Sequence, residues 1–297
     1  MLNKIILGDC LEVMKNISDG SVDMILCDLP YGTTQCKWDI QISLSSLWDE
    51  YYRITKQNAA MVFTASQPFT SALVMSNPKF FKYTWVWEKS KATGYLNAKK
   101  MPMRAHEDIC VFYRKPPIYN PQMTEGKPYD KGIAHRPTDV YGSQGEKNIT
   151  KKKDEFRELS VEDLKSKLHE KDLDQVGTKE ELVDRLARAT VPAIEVHVKN
   201  KTGLRYPRTV QYFKTAESEG KVQHPTQKPV ELFEYLIRTY TNEGDVVLDN
   251  CIGSGTTALA AIKSKRNFIG IENSEEYLNI SRTRIEELLN SIGEEKD

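Results

Sequence analysis

Apolar and polar positions alternate along the first third of the chain in a way that predicts strands and helices in turn. Short apolar runs bounded by polar turns predict strands at residues 4–8, 22–28, 59–65 and 81–88. Apolar residues at helical spacing predict helices at 10–17, 44–55 and 68–76. Strands that alternate with helices in this manner are typical of βαβ units built around a parallel sheet.

The same pattern returns at the C-terminal end of the chain. It predicts helices at 228–240, 256–265 and 274–290, and strands at 245–250 and 267–272. The stretch between, from about residue 115 to 223, is rich in Lys, Pro, Gly and Tyr and shows weak periodicity as far as residue 157. We therefore expect an α/β domain made of two sequence segments, 1–115 and 224–297, with a different region inserted at 116–223.

A helical hairpin is predicted within this inserted region, at about 157–190. Ser160 and Thr178 each stand three residues before an acid, Asp163 and Glu181, which is the capping-box spacing at a helix start. Leucines and valines at helical spacing follow each cap and indicate a small core. In length and in its Leu…Gly-x-Lys run the segment resembles a SAP module, a helical motif often associated with DNA binding. A hairpin that only packs or docks a partner remains the alternative, because its acids are as numerous as its bases.

Composition limits the function classes. Lys+Arg and Asp+Glu are both 42, so the charge of the whole chain neither requires nor excludes nucleic acid. No run approaches the roughly 18 apolar residues of a membrane span, and the first residues lack a signal peptide, so we expect a cytoplasmic protein without a membrane partner. The five scattered cysteines contain no C-x-x-C pair, which argues for reduced thiols and against a disulfide framework or a zinc site.

The stretch VVLDNCIGSGTTALAA (246–261) predicts a strand, a glycine-rich turn and a helix. Such a turn points backbone amides at a ligand. It lacks the lysine of a phosphate-binding P-loop, and Ala258 stands where a dinucleotide fingerprint requires its third glycine. The next strand, NFIGIE, ends in Glu272, whose carboxylate can bind two ribose hydroxyls. The two motifs together favour a ligand that has a ribose and a carboxylate but no phosphate.

The stretch DLPYG (28–32) follows directly on the apolar run 22–27. Together with the glycine loop it makes the chain resemble the β class of amino-group DNA methyltransferases, in which the catalytic Asp-Pro-Pro-Tyr motif precedes the recognition region and the methyl-donor loop comes last. The matches are Gly8-Asp9, Asp28-Leu29-Pro30-Tyr31, His106-Glu107 before a strand, RYPRTVQYF (205–213), HPTQKP (224–229), DNCIGSGTT (249–257) and GIENSEEY (270–277). Two positions depart from the family pattern: Leu29 replaces a proline, and Asn250-Cys251 replaces Pro-Phe.

The resemblance implies a Rossmann-like S-adenosylmethionine-dependent methyltransferase fold with circularly permuted motif order, and S-adenosylhomocysteine as the product. It implies that the Asp28 carboxylate and the Leu29 carbonyl accept the two amine hydrogens of the target base, so that the nitrogen lone pair faces the donor methyl group. Pro30 would keep that carbonyl exposed, and Tyr31 would offer a ring face to a base flipped out of the duplex. Methyl transfer from a sulfonium needs no metal, and the histidines show no metal-ligand spacing.

The resemblance also assigns the residues that bind the methyl donor. They are Asp9, Cys10, Asp28, Thr226, Lys228, Asp249, Gly253, Ser254, Gly255, Thr256 and Glu272. Two of these assignments have structural alternatives: Asp9 as the N-cap of the first helix, and HPTQKP as a turn that starts a helix with Thr226 as its cap.

Motifs from opposite ends of the chain can meet, because ligands of open α/β sheets bind where strands end at a topological switch point. We expect strand 245–250 to lie beside strand 22–28, which brings Asp28 near Gly253 and Gly255. The candidate contacts to DNA phosphates are Lys99, Lys100, Arg104, Lys199, Lys201, Arg205 and Arg208, interleaved with Tyr95 and Tyr206. A solvated charged surface is the alternative for each of them.

The leading hypothesis is methylation of adenine N6 in double-stranded DNA. Asp28 favours it over cytosine-N4 methylation, because the cytosine-N4 enzymes of the family commonly have Ser at that position. An RNA or protein methyltransferase would keep the same donor site, and a catalytically silent DNA-binding protein would tolerate the loss of Asp28, which is intact here. The sequence leaves open the target site, the homodimer that is frequent in the family, and whether the enzyme is solitary, paired with a restriction enzyme or phage-borne.

Overall fold

The computed structural model describes residues 1–32, 40–136, 142–191, 194–220, 222 and 226–294. The strands are β1 Lys4–Leu7, β2 Val22–Cys27, β3 Thr55–Ala65, β4 Phe81–Thr93, β5 Arg104–Phe112, β6 Tyr129–Arg136, β7 Ile194–Asn200, β8 Val210–Phe213, β9 Val246–Asp249 and β10 Asn267–Glu272. The α-helices are α1 Cys10–Met14, α2 Leu44–Ile54, α3 Phe69–Ser76, α4 Gly142–Arg157, α5 Val161–Glu170, α6 Lys179–Thr190, α7 Val230–Tyr240, α8 Thr256–Lys263 and α9 Glu275–Glu294. The chain forms two compact units, a larger one of residues 1–123 with 206–297 and a smaller one of residues 124–205.

Within the described residues, eight strands of the larger unit form one sheet in the order β1-β10-β9-β2-β3-β5-β4-β8. The first five strands in this order are parallel, and β5 runs antiparallel to both β3 and β4. β9 pairs with β2 through Met24 with Val247 and Ile25 with Leu248. This pairing confirms that the strand predicted at 245–250 lies beside the strand before DLPYG. The carboxyl ends of β1, β2, β9 and β10 therefore meet at one edge of the sheet.

Both faces of the sheet are buried at its central strands β2, β3, β9 and β10, as the continuous apolar runs of these strands require. Alternate residues of β2 serve opposite faces: Met24 and Leu26 join a cluster with α7 and α8, whereas Ile25 and Cys27 join a cluster with α2 and α3. Because the two faces are fixed by these alternate side chains, a slip of one residue in the register of β2 would exchange them. The register of β2 thus determines where Asp28 stands.

The smaller unit contains the predicted helical hairpin and more. Thr178 and Glu181 form a complete capping box at the start of α6, and Ser160 caps α5 by accepting from the Asp163 amide at 3.1 Å. The helices α4, α5 and α6 share a core of Ile149, Phe156, Leu164, Leu168, Leu182, Val183, Leu186 and Ala187. α4 and the antiparallel pair β6 and β7 were not predicted. α4 and β6 carry few apolar residues at regular spacing, whereas β7, IEVHVKN, alternates apolar and polar residues, a strand signal that was missed. The likeness to a SAP module stays a prediction.

Two strands are longer than the apolar pattern predicted. β3 begins at Thr55 and β4 continues to Thr93, in both cases through polar residues. The polar end of β4 pairs with Arg104 at the start of β5, so the two strands form a long hairpin. No helix of the described chain is both long and apolar enough to cross a membrane.

Candidate active site

A cavity of about 770 Å³ opens at the carboxyl edge of the sheet in the larger unit. It is lined by most of the predicted catalytic and donor-binding residues: Asp9, Cys10, Asp28, Leu29, Pro30, Tyr31, Thr226, Lys228, Asp249, Gly253, Ser254, Thr256 and Glu272. Gly255 lies behind this lining, against Ser281. The fold thus brings motifs separated by more than two hundred residues into one concave site, the arrangement expected of an α/β switch point.

Asp28 directly follows β2, and three side chains hold its carboxylate. The Tyr31 hydroxyl donates to Oδ1 at 2.9 Å, and the Thr64 hydroxyl donates to the same oxygen. The Lys228 ammonium lies 2.5 Å from Oδ2. The Asp28 side chain keeps 20% of its surface exposed, so the carboxylate is fixed in direction and still reachable from the cavity.

A row of alternating charges continues behind Asp28. Lys228 Nζ also lies 3.6 Å from Glu107 Oε2, and Lys89 Nζ lies 2.6 Å from Glu107 Oε1. Burial lowers the pKa of Lys228, but Asp28 and Glu107 outweigh burial and leave that pKa above its ordinary value. Burial raises the pKa of Glu107, and the two lysines outweigh it in turn, so this pKa is lowered. Both groups are therefore charged at neutral pH.

Glu107 and Lys89 were not among the predicted site residues. Glu107 belongs to the His106-Glu107 match, which was the available signal, but its contact with Lys228 joins positions far apart in sequence. Lys228 was assigned to the methyl donor, and the structure places its ammonium on the Asp28 carboxylate.

The rest of DLPYG is packed firmly. The Leu29 side chain is buried, which anchors the backbone beside Asp28. The Tyr31 ring stacks on Phe69 with ring centroids 5.0 Å apart, and the Tyr31 carbonyl accepts from Gln41 at 2.8 Å. Gly32 has φ +67° and a side chain there would meet Gln41, so the glycine is required by both backbone and space. The proposed roles of the Leu29 carbonyl and the Tyr31 ring remain predictions.

The glycine loop between β9 and α8 is tied to the end of β10. The Gly253 amide donates to Glu272 Oε2 at 2.8 Å, and the Ser274 amide donates to Oε1 at 2.9 Å. Burial raises the pKa of Glu272 although these two bonds oppose the change. Gly255 begins α8 at φ +84°, and a Cβ there would lie 2.9 Å from that of Ser281.

Asp249 ends β9 beneath the same loop and is almost fully buried. It accepts a hydrogen bond from the Thr257 hydroxyl and another, at 3.0 Å, from the Cys251 amide. Burial raises the pKa of Asp249 to about 6, which these bonds only partly offset. Beside it, the Asn250 side chain accepts a hydrogen bond from the buried Tyr51 hydroxyl at 2.6 Å. This bond gives a structural role to Asn250, one of the two positions that depart from the Pro-Phe pattern.

The segment before α7 closes one side of the cavity. His224 and Pro225 of HPTQKP lie outside the described residues, whereas the Thr256 hydroxyl donates to the Lys228 carbonyl at 3.2 Å. The alternative that Thr226 caps the helix is wrong. Pro229 occupies the cap position without a side-chain bond, and the Glu219 carboxylate accepts from the first two helical amides at 2.8 and 3.0 Å. A carboxylate compensates the helix dipole better than a hydroxyl does.

Asp9 is the N-cap of α1, since its Oδ1 accepts from the Leu11 and Glu12 amides at 2.9 and 3.2 Å. The capping interpretation is therefore confirmed, and the donor-binding role stays a prediction for a residue that also lines the cavity. The neighbouring Gly8 amide donates to the Glu272 carbonyl at 2.9 Å, which joins the ends of β1 and β10.

The predicted DNA contacts fall into two groups. Lys99, Lys100, Arg104 and Arg208 are exposed residues of the larger unit, and Lys199, Lys201 and Arg205 are exposed residues of the smaller unit. Arg104 also lines the cavity. Lys199 lies 3.1 Å from Asp130, and the Arg205 guanidinium lies over the Tyr129 ring, so part of the second group already has partners in the protein.

Cys10, Cys27, Cys110 and Cys251 are free thiols, and Cys36 lies outside the described residues. Within the described ranges, no group of three or more His, Cys, Asp or Glu side chains is arranged to hold a metal ion.

Comparison with known proteins agrees with this geometry. The chain is 26% identical over 301 residues to the type II methyltransferase M1.MboII of Moraxella bovis, and the match covers 94% of each protein. The solved structure of an M1.HpyAVI–SAM complex superposes with a TM-score of 0.55 at 22% identity, covering 95% of this chain and 98% of that one. PvuII DNA methyltransferase, described as cytosine-N4-specific, gives a TM-score of 0.56 at 14% identity, with 94% and 85% covered. The two structures confirm the predicted Rossmann-like methyltransferase fold.

A sequence model of the N6/N4 methyltransferase family, described as DNA methylase, matches residues 22–283. This range begins at the strand before DLPYG and includes the glycine loop and Glu272. The chain belongs to the N6/N4 family of DNA methylases.

Proposed function

We propose that this DNA methylase transfers a methyl group from S-adenosylmethionine to N6 of an adenine flipped out of double-stranded DNA. The observation that supports it best is the setting of Asp28. This carboxylate is oriented by the Tyr31 and Thr64 hydroxyls and by the Lys228 ammonium, and it faces the same cavity as the glycine loop.

The residues present suit the methyl donor. Two cavity carboxylates, Glu272 and Asp249, are hydrogen-bond acceptors for hydroxyl and amine groups, and Glu272 is already oriented by the Gly253 amide of the glycine loop and by the Ser274 amide. Gly253 has φ +51°, a backbone conformation that favours glycine. Because this residue lines the cavity and has no side chain, a ligand can approach the loop backbone closely there. When bound, S-adenosylmethionine supplies a methyl group on a positively charged sulfur.

Orientation of the target amine is the contribution of DLPY. An exocyclic amine on adenine is a poor nucleophile, because its lone pair is delocalised into the ring. Two acceptors, the Asp28 carboxylate and the Leu29 carbonyl, would bind the two amine hydrogens and leave the lone pair directed away from them. Lys228 serves this geometry by fixing the direction of the Asp28 carboxylate, one oxygen of which lies on the ammonium.

Adenine is favoured over cytosine by the acid at position 28. Cytosine-N4 methylation is the alternative, since a cytosine-N4-specific enzyme shares the fold and the fold therefore does not choose the base. A protein substrate would have no phosphates for the basic residues beside the cavity, and an RNA substrate is disfavoured because the family model that matches the chain describes DNA methylases. The proposal extends to a role in restriction-modification, because the type II methyltransferase M1.MboII matches 94% of this chain and 94% of its own length.

Asp28→Ala tests the mechanism. The variant should lose methyl transfer to unmethylated genomic DNA while it retains donor binding in a calorimetric titration, because Glu272 and the glycine loop are unchanged. Asp19→Ala is the control, as it removes an aspartate that is 76% exposed and ion-paired elsewhere, with Arg53. Near-normal turnover in Asp28→Ala would contradict the role given to this carboxylate.

A further inference from the structure

The tip of the hairpin between β4 and β5 carries large apolar side chains in solvent. Tyr95 is 79% exposed, Leu96 97% and Met101 58%. Single exposed apolar residues are ordinary on protein surfaces, but here three large ones occur within the short connection between two strands. Packing within the described protein does not account for them.

The turn that presents these side chains is well defined. Gly94 adopts φ +94°, and the Asn97 amide donates to its carbonyl at 3.0 Å. The Met101 amide then donates to the Asn97 carbonyl, also at 3.0 Å. Two successive hydrogen-bonded turns therefore hold Tyr95 and Leu96 at the outermost point of the hairpin.

The tip is also basic. Lys99 and Lys100 lie within it, Arg104 lies at its base and Lys91 lies in β4 just before it. No Asp or Glu occurs between Lys89 and His106, although acids and bases are equal in number over the whole chain. A polyanion is the partner that such a surface fits.

The base of the tip is part of the active-site cavity. Thr93 and Arg104 pair across the hairpin, and both line the cavity that contains Asp28. A molecule whose reacting group enters the cavity thus passes beside the tip.

We propose that the tip is a wedge that enters the base stack of DNA beside the target nucleotide, with Leu96 and Tyr95 filling the space that the extruded base leaves. This inference rests on the proposed function. Extrusion breaks the stacking of the two neighbouring bases, and an inserted apolar or aromatic side chain restores much of that contact. The exposed Lys99 and Lys100 would bind phosphates of the opened step. The surface would thus lower the cost of placing adenine against Asp28.

The decisive test compares two duplexes that contain the target site, identified by sequencing genomic DNA methylated by the wild-type protein. One duplex is fully paired, and the other lacks the base opposite the target, so that extrusion is cheaper. The variants are Leu96→Ala and the double variant Tyr95→Ala/Leu96→Ala. The matched control is Leu289→Ala, which removes an apolar side chain that is 51% exposed on α9.

A wedge predicts an asymmetric result. The double variant should lose about tenfold or more in kcat/KM on the paired duplex, since unstacking is worth a few kcal/mol, and should approach wild type on the duplex that lacks the opposite base. Donor binding should be unchanged. A fluorescent adenine analogue at the target position should report less extrusion by the variant.

Other outcomes would overturn the inference. Equal kcat/KM of variant and wild type on the paired duplex would show that the tip does not assist extrusion. An equal loss on both duplexes, together with conversion of a wild-type dimer to a monomer, would identify the tip as an interface with a second copy of the chain. If the wild-type protein methylated no DNA, the proposed function itself would fail, a result separate from any difference among variants.

Discussion

Replacing Lys228 with methionine removes the buried ammonium that lies between two carboxylates while keeping the length of the side chain. Lys228 is 7% exposed, and its Nζ lies 2.5 Å from Asp28 and 3.6 Å from Glu107. Removing one partner of a buried ion pair costs about 3–5 kcal/mol, because the remaining charge is left in a poorly solvated place. Since Asp28 is 20% exposed and Glu107 keeps Lys89, we expect the lower end, about 3 kcal/mol.

The pH dependence of this loss follows from Glu107. Burial raises the pKa of Glu107 and the two lysines lower it by more, so loss of Lys228 moves this pKa upward. In the wild type the lowered pKa contributes stability that is present above the ordinary carboxyl pKa of about 4 and is lost as the pH falls below it. Because this contribution is smaller in Lys228→Met, the difference between wild type and variant should be full at pH 7, shrink as the pH falls toward about 4 and shrink further below it.

Urea unfolding between pH 3.5 and 8 measures this difference, and methyl transfer measured over the same range reports the effect on Asp28. Lys56→Met is the control, because Lys56 forms an ion pair of similar length, 2.6 Å, but is 48% exposed and should contribute below about 1 kcal/mol. Adding Glu107→Gln to Lys228→Met should restore part of the stability. The reasoning is refuted if Lys228→Met unfolds like wild type at pH 7, or if its deficit is the same at pH 3.5.

Further substitutions test the donor side of the cavity. Burial raises the pKa of Asp249 from 3.8 to about 6, so the ionised carboxylate destabilises the folded protein increasingly as the pH rises through that interval. Asp249→Asn should therefore raise the free energy of unfolding by up to about 3 kcal/mol at pH 7.5 and by almost nothing at pH 4. The same variant should bind the methyl donor more weakly in calorimetry. Gly255→Ala should lower the melting temperature more than Gly244→Ala, because both glycines have positive φ but only the first would clash, with Ser281; equal losses would show that backbone strain alone matters. Glu219→Ala should cost about 1 kcal/mol in thermal unfolding through loss of the α7 cap, and no loss would contradict that assignment.

The sheet and the principal site could be predicted because their signals are local. The apolar runs that lead to Asp28 and Asp249 predict two buried strands. The glycine loop follows the second of these strands and Glu272 ends the next one, so both could be placed at the carboxyl edge of a parallel sheet. The position of the C-terminal strand beside β2 followed from the need to bring those ends together, and the pairing of Met24 with Val247 confirms it.

The features that were missed depend on distant partners or on polar sequence. The contact of Glu107 with Lys228, and the Glu219 cap in place of Thr226, form only when separate segments fold together. α4 and the polar end of β4 carry no apolar period, so pattern alone could not reveal them. The exposed apolar side chains of the hairpin tip gave no signal either, because an apolar residue in sequence is expected to be buried.

The most direct measurement of the proposed function is a nucleoside analysis. The protein is incubated with S-adenosylmethionine and unmethylated genomic DNA, the DNA is digested to nucleosides, and the methylated product is identified by mass spectrometry, with Asp28→Ala as the parallel sample. We expect N6-methyladenine from the wild-type protein and none from the variant. N4-methylcytosine would contradict the assignment of the base, and the absence of any methylated base from a protein that binds the donor would contradict the proposed DNA substrate.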